Sequence, residues 1–209
     1  MIRILICDDH AVVREGLRQI ITKQSDMSVV AEAASGADVM NKFRETNYDV
    51  VLLDLSMPGR NGLETLGEIK RENPDSRVLI LSVHAENLYA VRALKAGASG
   101  YLTKESAPEE LVEAIRKVAR GGKYISASLA ERLAYELEGN NKPPHERLSD
   151  REYQVLCMLG TGRTVKEIAS MLCLSVPSIS TYRARVLEKM NMKNNAELAH
   201  YAIRSGLVD

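Results

Sequence analysis

Tyr48–Gly62 reads YDVVLLDLSMPGRNG, and its first half decides the fold. Val50 to Leu53 is an apolar run rich in β-formers, too short for a helix, and it ends on Asp54; such a run is a strand buried on both faces of a parallel sheet. An unpaired buried carboxylate is costly, so Asp54 is expected to point out of the end of the sheet. Pro58, Gly59, Asn61 and Gly62 supply the turn that ends the strand and let the backbone pass close to whatever Asp54 holds.

Ile2 to Cys7 (IRILIC) repeats the pattern. It is a second short apolar run ending on paired acids, Asp8 and Asp9, followed by Val12, Val13, Leu17, Ile20 and Ile21 at helical spacing. In an open parallel sheet, sites form at the carboxyl ends of strands where the strand order reverses, so the two acidic ends are expected to converge. Three carboxylates together repel unless a cation sits among them. With oxygen donors and no His or Cys cluster, the expected cation is Mg²⁺, which shares its coordination with water and a phosphoryl group. The alternative is a set of solvated acids capping helix N-termini.

The same alternation continues. Ser28–Ala33 and Arg77–Val83 read as strands, as do Tyr101 and Leu102. Helices are expected from Ser35 with Asp38 to Glu45, from Leu63 until Asn73–Pro74, from about Ala85 to Ala96, and from Ser106, Pro108 and Glu109 to Gly121–Gly122. Five strands alternating with helices predict an α/β doubly wound parallel sheet with right-handed crossovers. Its strand ends present Asp8, Asp9, Asp54, Ser82 and Lys104, the composition of a phosphoryl site. His10 and His84 read as loop histidines.

Composition narrows the class. The 209 residues balance 28 basic against 28 acidic side chains, with a mild acidic excess before residue 120 and a mild basic one after 147, which points nucleic acid toward the C-terminal part. Cys7, Cys157 and Cys173 lie in apolar patterns without metal-ligand spacing and are expected to be buried free thiols in a reducing compartment. No basic-then-apolar segment opens the chain and no apolar run approaches the ~18 residues of a membrane span, so no membrane partner and a cytoplasmic location are expected.

The second half is helical. Residues 122–146 read as a linker with one helix, Ser128 with Glu131 capping it and Glu138–Gly139 ending it, followed by the linker composition of Asn140–Pro144. From 147 to 209, Ser149 with Glu152 and Thr164 with Glu167 cap two helices. A turn at Cys173–Ser175 precedes a third helix with Pro177 in its first turn, running to about Met190, and Ala196–Ser205 makes a fourth. That is helix-turn-helix spacing. At about 100° per residue, Ile179, Val186 and Met190 form the inward stripe of the third helix. Ser180, Thr181, Ala184 and Arg185 lie opposite as base-reading candidates. Lys166, Tyr182 and Lys189 are placed for phosphates, and Arg183 for a structural pair with Glu152.

At these residues the first 120 or so positions resemble the receiver domain of a bacterial two-component response regulator, and LSDRE (from Leu148), TVKEIA (from Thr164) and ELAHYAIRSGLV (from Glu197) resemble a LuxR-type DNA-binding domain, the NarL/FixJ arrangement. The resemblance implies a flavodoxin-like receiver over 1–121 and a small all-α helix-turn-helix domain over 147–209. It implies Asp54 as phosphoacceptor from a sensor histidine kinase, with Mg²⁺ held by Asp8, Asp9, Asp54 and the Ser56 carbonyl. Ser82 and Lys104 would contact phosphoryl oxygens, and Tyr101 would be a switch aromatic, with a half-buried strand aromatic as the alternative. It implies double-stranded promoter DNA as partner, and a homodimer in the active form that pairs through the last helix. There Leu198, Tyr201, Ala202 and Ser205 share a face; core packing of that face stays open. Glu105 stands where the family often has a proline after the lysine, and Ser180 and Tyr182 stand where it often has Lys and His. An aspartyl-phosphate phosphatase of haloacid dehalogenase type would need an Asp where Ser56 stands. An autoinducer-binding LuxR protein would need a ligand pocket in place of the acids, and a pseudo-receiver would lack the full set. No enzymatic activity of its own is expected.

Overall fold

The computed structural model describes residues 1–57, 62–83, 86–127, 129–131, 133 and 143–208, with backbone only at 86–88. Pro58, Gly59, Asn61, His84, the Ser128 cap, Glu138–Gly139 and Asn140–Lys142 lie outside the described residues. The chain divides into two compact units, Met1–Ala130 and Glu131–Asp209.

In the first unit, strands β1 (Ile2–Cys7), β2 (Met27–Ala33), β3 (Val50–Asp54), β4 (Val78–Ser82) and β5 (Gly100–Thr103) alternate with helices α1 (Ala11–Thr22), α2 (Gly36–Glu45), α3 (Gly62–Glu72), α4 (Glu86–Lys95) and α5 (Pro108–Ala119). The sheet is parallel in the order β2-β1-β3-β4-β5. The order reverses between β1 and β3, so their carboxyl ends form the crevice. Val50 to Leu53 are buried on both sides: Ile4, Ile6, Val50, Leu52, Leu79 and Leu81 pack with Leu111, Ile115 and Val118 of α5, while alternation sends Leu5, Val51, Leu53 and Ile80 to an equally buried opposite face.

Local chemistry sets the element ends. Ser35 caps α2 by accepting from Asp38 N–H, as its spacing predicts. The start of α5 differs from expectation: Ala107 is the N-cap and makes no side-chain bond, while Ser106 lies in the preceding turn, its N–H donating to Thr103 O. Gly62 opens α3 against the strand end, where a Cβ would overlap the Asp54 carbonyl oxygen and Leu55 Cα. The unit also runs past the expected end at 121. Tyr124 pairs with β5 at Gly100 and accepts from Tyr101 N–H, and Lys123 Nζ donates to Ala98 O at 2.7 Å. Ser126, two residues before the expected cap, accepts from Leu129 N–H.

The second unit begins with a 3-10 turn, Pro144–Arg147, followed by α6 (Asp150–Gly160), α7 (Val165–Met171), α8 (Val176–Met190) and α9 (Asn195–Arg204). Both expected capping boxes, Ser149 with Glu152 and Thr164 with Glu167, are complete. Gly160 lets α6 and α9 touch, since a Cβ there would lie 2.8 Å from Ala202 Cβ. Cys173 holds the turn between α7 and α8 at φ 51. It is exposed, unlike Cys7 and Cys157, because the left-handed turn carries its side chain out of the apolar pattern.

Candidate functional site

Strand register assembles the acidic centre. Cys7 pairs with Leu53, so the next residues, Asp8 and Asp54, stand side by side at the open end of the sheet. β5 pairs Thr103 with Ser82, and one further backbone bond, Lys104 N–H to Ser82 O, continues the ladder. The Lys104 stem then reaches back across β4, placing Nζ 2.6 Å from Asp8 Oδ2 and 3.0 Å from Asp54 Oδ2. Ser56 N–H donates to Asp54 Oδ1 at 3.1 Å. The Lys104–Glu105 bond is trans, there being no cis peptide among the described residues.

Asp54 stands at the end of the sheet as expected, but it is buried there, which the cost of a buried carboxylate argued against: Asp54 and Asp8 are each 1% exposed. The chain tolerates these charges because Lys104 lies between them and amide donors meet one oxygen of each, Ser56 N–H at Asp54 and His10 N–H at Asp8. The compensation is incomplete. Burial drives the Asp54 carboxyl upward, Lys104 and Ser56 pull it down, Asp8 repels it, and the net shift is up. Burial opposes the Lys104 ammonium, but Asp8 and Asp54 outweigh it and its pKa rises. An ion pair should move its partners in opposite directions; here both move up because one ammonium serves two buried carboxylates, and Asp54 has the smaller share. Asp8 Oδ2 and Asp54 Oδ2 are buried against Lys104 Nζ, and Asp9 Oδ1 is buried against His10 Nδ1. Oxygens so placed suit a hard divalent cation.

Ser82 and Tyr101 are both fully buried, so Tyr101 is an inward aromatic rather than a half-buried one. His10 is the loop histidine the sequence predicts, at the N-cap of α1, and its ring also reaches the centre: its Nδ1 lies 2.8 Å from Asp9 Oδ1. Its adjacency to the paired acids was the available signal.

On α8, Ile179, Val186 and Met190 are buried and Ser180, Thr181, Ala184 and Arg185 are exposed, which matches the expected phase. Lys166 is exposed and Tyr182 half-buried. The partner of Glu152 differs from expectation. Lys189, not Arg183, reaches Glu152, with Nζ 2.6 Å from Oε2, whereas Arg183 Nε donates to Asn195 Oδ1 at 2.5 Å. Both basic residues flank the buried stripe, and the longer reach from the last turn of α8 to the start of α6 falls to Lys189. Burial would raise the Glu152 carboxyl, but Lys189 and Ser149 hold it below the ordinary range.

On the last helix, the alternative of core packing holds for Leu198 and Ala202. Leu198 and Ala202 are fully buried in the unit's own core, and Tyr201 is half-buried with its hydroxyl 2.8 Å from His145 Nδ1; only Ser205 of that set is exposed. That face is core, because Gly160 opens a slot for Ala202. The opposite side carries the exposed Ile203.

An acidic, lysine-bearing centre at the switch point of a doubly wound sheet, joined to a helix-turn-helix unit, defines a signal-receiving regulator of transcription. Comparison with known proteins agrees: the family described as response regulator receiver domain matches residues 4–116, and bacterial regulatory proteins, luxR family, match residues 146–202. Response regulator UvrY of Escherichia coli (strain K12) is 41% identical over 209 residues, covering 99% of this chain and 96% of that protein. Response regulator GacA of Pseudomonas aeruginosa is 39% identical over 211 residues, covering 100% and 99%. RcsB of Salmonella enterica serovar Typhimurium, solved bound to promoter rprA in the presence of phosphomimetic BeF3-, superposes with a TM-score of 0.66 at 26% identity over 96% of this chain and 97% of that one. The chain belongs to the NarL/FixJ-type response regulators. It is a two-component transcriptional regulator with a receiver and a LuxR-type DNA-binding domain. Receiver domains bind Mg²⁺ at this acidic pocket, and here the pocket is rich in Asp. Among the described residues no helix is long and apolar enough to cross a membrane.

Proposed function

We propose that Asp54 accepts a phosphoryl group from a sensor histidine kinase and that its phosphorylation controls binding of double-stranded promoter DNA by residues 147–209. The observation that carries this is the buried Asp54 carboxylate, 3.0 Å from Lys104 and beside the buried Asp8 at the sheet end. Phosphoryl transfer asks the protein mainly for positioning and charge stabilisation. Ser56 N–H fixes one Asp54 oxygen and leaves the other to attack; Lys104 stands where charge develops on the transferring oxygens. Asp8, Asp9, Asp54 and the Ser56 carbonyl would hold Mg²⁺, which when bound neutralises the remaining carboxylate charge and the phosphoryl oxygens. The added phosphoryl group carries roughly 1.5 to 2 negative charges by analogy with other phosphorylated side chains. It competes with Asp8 for Lys104 and draws the Ser82 hydroxyl, with Tyr101 buried behind it.

For the domains, a receiver over 1–121, a joining segment over 122–146 whose first residues lie along β5, and a DNA-binding domain over 147–209 suit the two units. Ser180, Thr181, Ala184 and Arg185 form the base-reading face, with Lys166 and Tyr182 beside it for phosphates; Lys189 serves the fold through Glu152. The active form is a homodimer, with the exposed side of α9 rather than Leu198 and Ala202 available for pairing, and the protein works in the cytoplasm. Incubation with acetyl phosphate and Mg²⁺ should add one phosphoryl mass to wild type and none to Asp54→Asn; equal labelling would remove Asp54 from the role.

A further inference from the structure

His10 carries an inference that rests on the acidic centre being a divalent-metal site. It is the N-cap of α1, and its own N–H donates to Asp8 Oδ1 at 2.8 Å, which fixes the turn. Its ring Nδ1 lies 2.8 Å from Asp9 Oδ1 and 3.4 Å from Asp8 Oδ1, so the imidazole faces the acids although the side chain is 64% exposed. One donor atom from each of Asp8, Asp9, His10 and Asp54 falls within 4.8 Å of all the others. Donors on opposite sides of one bound ion stand about 4 to 4.4 Å apart, so closure by a few tenths of an ångström brings all four onto a single ion. Asp8 and Asp54 are each 1% exposed and face one point at the sheet end, which draws a cation there independently of the histidine.

We infer that His10 is a nitrogen ligand of this centre, giving it a mixed oxygen and imidazole donor set that favours Mn²⁺, Co²⁺ and above all Ni²⁺ or Zn²⁺ over an all-oxygen receiver. Mg²⁺ is hard and gains little from imidazole, whereas affinity for nitrogen-containing sites rises along the first transition row. Nδ1 and Asp9 Oδ1 lie 2.8 Å apart, the separation of two neighbouring ligands of one ion, so the imidazole and the carboxylate would bind it side by side. His10 thereby sets which ion the receiver holds, while Asp8, Asp9 and Asp54 hold any of them.

The test uses the full chain, titrated calorimetrically with Mg²⁺, Co²⁺ and Ni²⁺ in wild type, His10→Ala and Asp9→Asn. His10→Ala should weaken Ni²⁺ and Co²⁺ by about tenfold or more, the scale on which losing a group at a metal's shell acts. Mg²⁺ should be left within about twofold, and Asp9→Asn should weaken all three. Wild type with Co²⁺ should show a hyperfine-shifted imidazole proton resonance that His10→Ala lacks. Equal Ni²⁺ and Co²⁺ affinities in wild type and His10→Ala overturn the assignment, and Mg²⁺ binding in that same experiment leaves the acidic-centre reading standing. Absence of Mg²⁺ binding to wild type overturns that reading and this inference with it.

Discussion

Replacing Lys189 by Met tests whether the recognition helix is held by an ion pair to the buried Glu152. Glu152 is 3% exposed and Lys189 is 41% exposed, with 2.6 Å between Oε2 and Nζ; the other donor to Glu152 Oε2 is Ser149 N–H at 2.8 Å. A hydrogen bond to a charged group contributes about 1.5 to 3 kcal/mol, and solvent around the half-exposed ammonium reduces that. Lys189→Met should therefore cost about 1 to 2 kcal/mol, with coupling to Glu152→Gln of similar size in a double-mutant cycle. Native-state hydrogen exchange at α6 and α8 amides measures it within the second unit. The pH dependence has a definite sign. Glu152's folded pKa is lowered, so the pair's contribution is full above the ordinary glutamate range and is lost as pH falls through the folded value; wild type and variant should converge on acidification. DNA binding separates the roles further: Lys189→Met should lower affinity with the salt slope unchanged, whereas Lys166→Ala should flatten the slope by about one unit. A Lys189→Met protein of unchanged stability with a flattened slope would show that Lys189 neutralises a phosphate and that the pair does not matter.

Asp54→Asn should raise the melting temperature of the first unit at neutral pH, since it leaves Lys104 paired one-to-one with Asp8. Because Asp54's folded pKa is raised, the cost of its ionised form is present above that value and is relieved as pH falls through it, so calorimetric scans of the two proteins should approach each other in acid. Gly160→Ala should destabilise the second unit by about 1 to 3 kcal/mol in urea melts followed by hydrogen exchange, because its methyl group must push Ala202 and α9 outward. Arg185→Ala should relax preference at one operator position by about 1 to 3 kcal/mol in competition assays, while changes elsewhere in the operator keep their effects.

The architecture was legible because strands and caps are local. Val50–Asp54 and Ile2–Cys7 declare themselves by composition, and Ser149 with Glu152 by a three-residue spacing. The phase of α8 followed from Ile179, Val186 and Met190 alone. What the sequence left open depended on neighbours distant in the chain. The burial of Asp54 is tolerated because Lys104, fifty residues further along the chain, crosses β4 to meet it. That Lys189 and not Arg183 meets Glu152 was hidden because both flank the same stripe, and only the reach to Glu152 separates them. Leu198 and Ala202 looked like surplus apolar surface because nothing in α9 itself announces that α6 covers this face, with Gly160 opening a slot for Ala202. Tyr124, beyond the predicted end of the receiver, pairs along β5 with no periodicity to advertise it.

The central claim is that phosphorylation of Asp54 controls DNA binding. Its most direct test is the affinity of the full chain for a selected promoter fragment at fixed salt, with and without acetyl phosphate and Mg²⁺, in wild type and Asp54→Asn. Couplings between sites typically amount to about 1 to 3 kcal/mol, so wild-type affinity should change by roughly 5 to 150-fold and Asp54→Asn should not respond. An equal response in both proteins, or none in a wild type shown by mass to be phosphorylated, would contradict it.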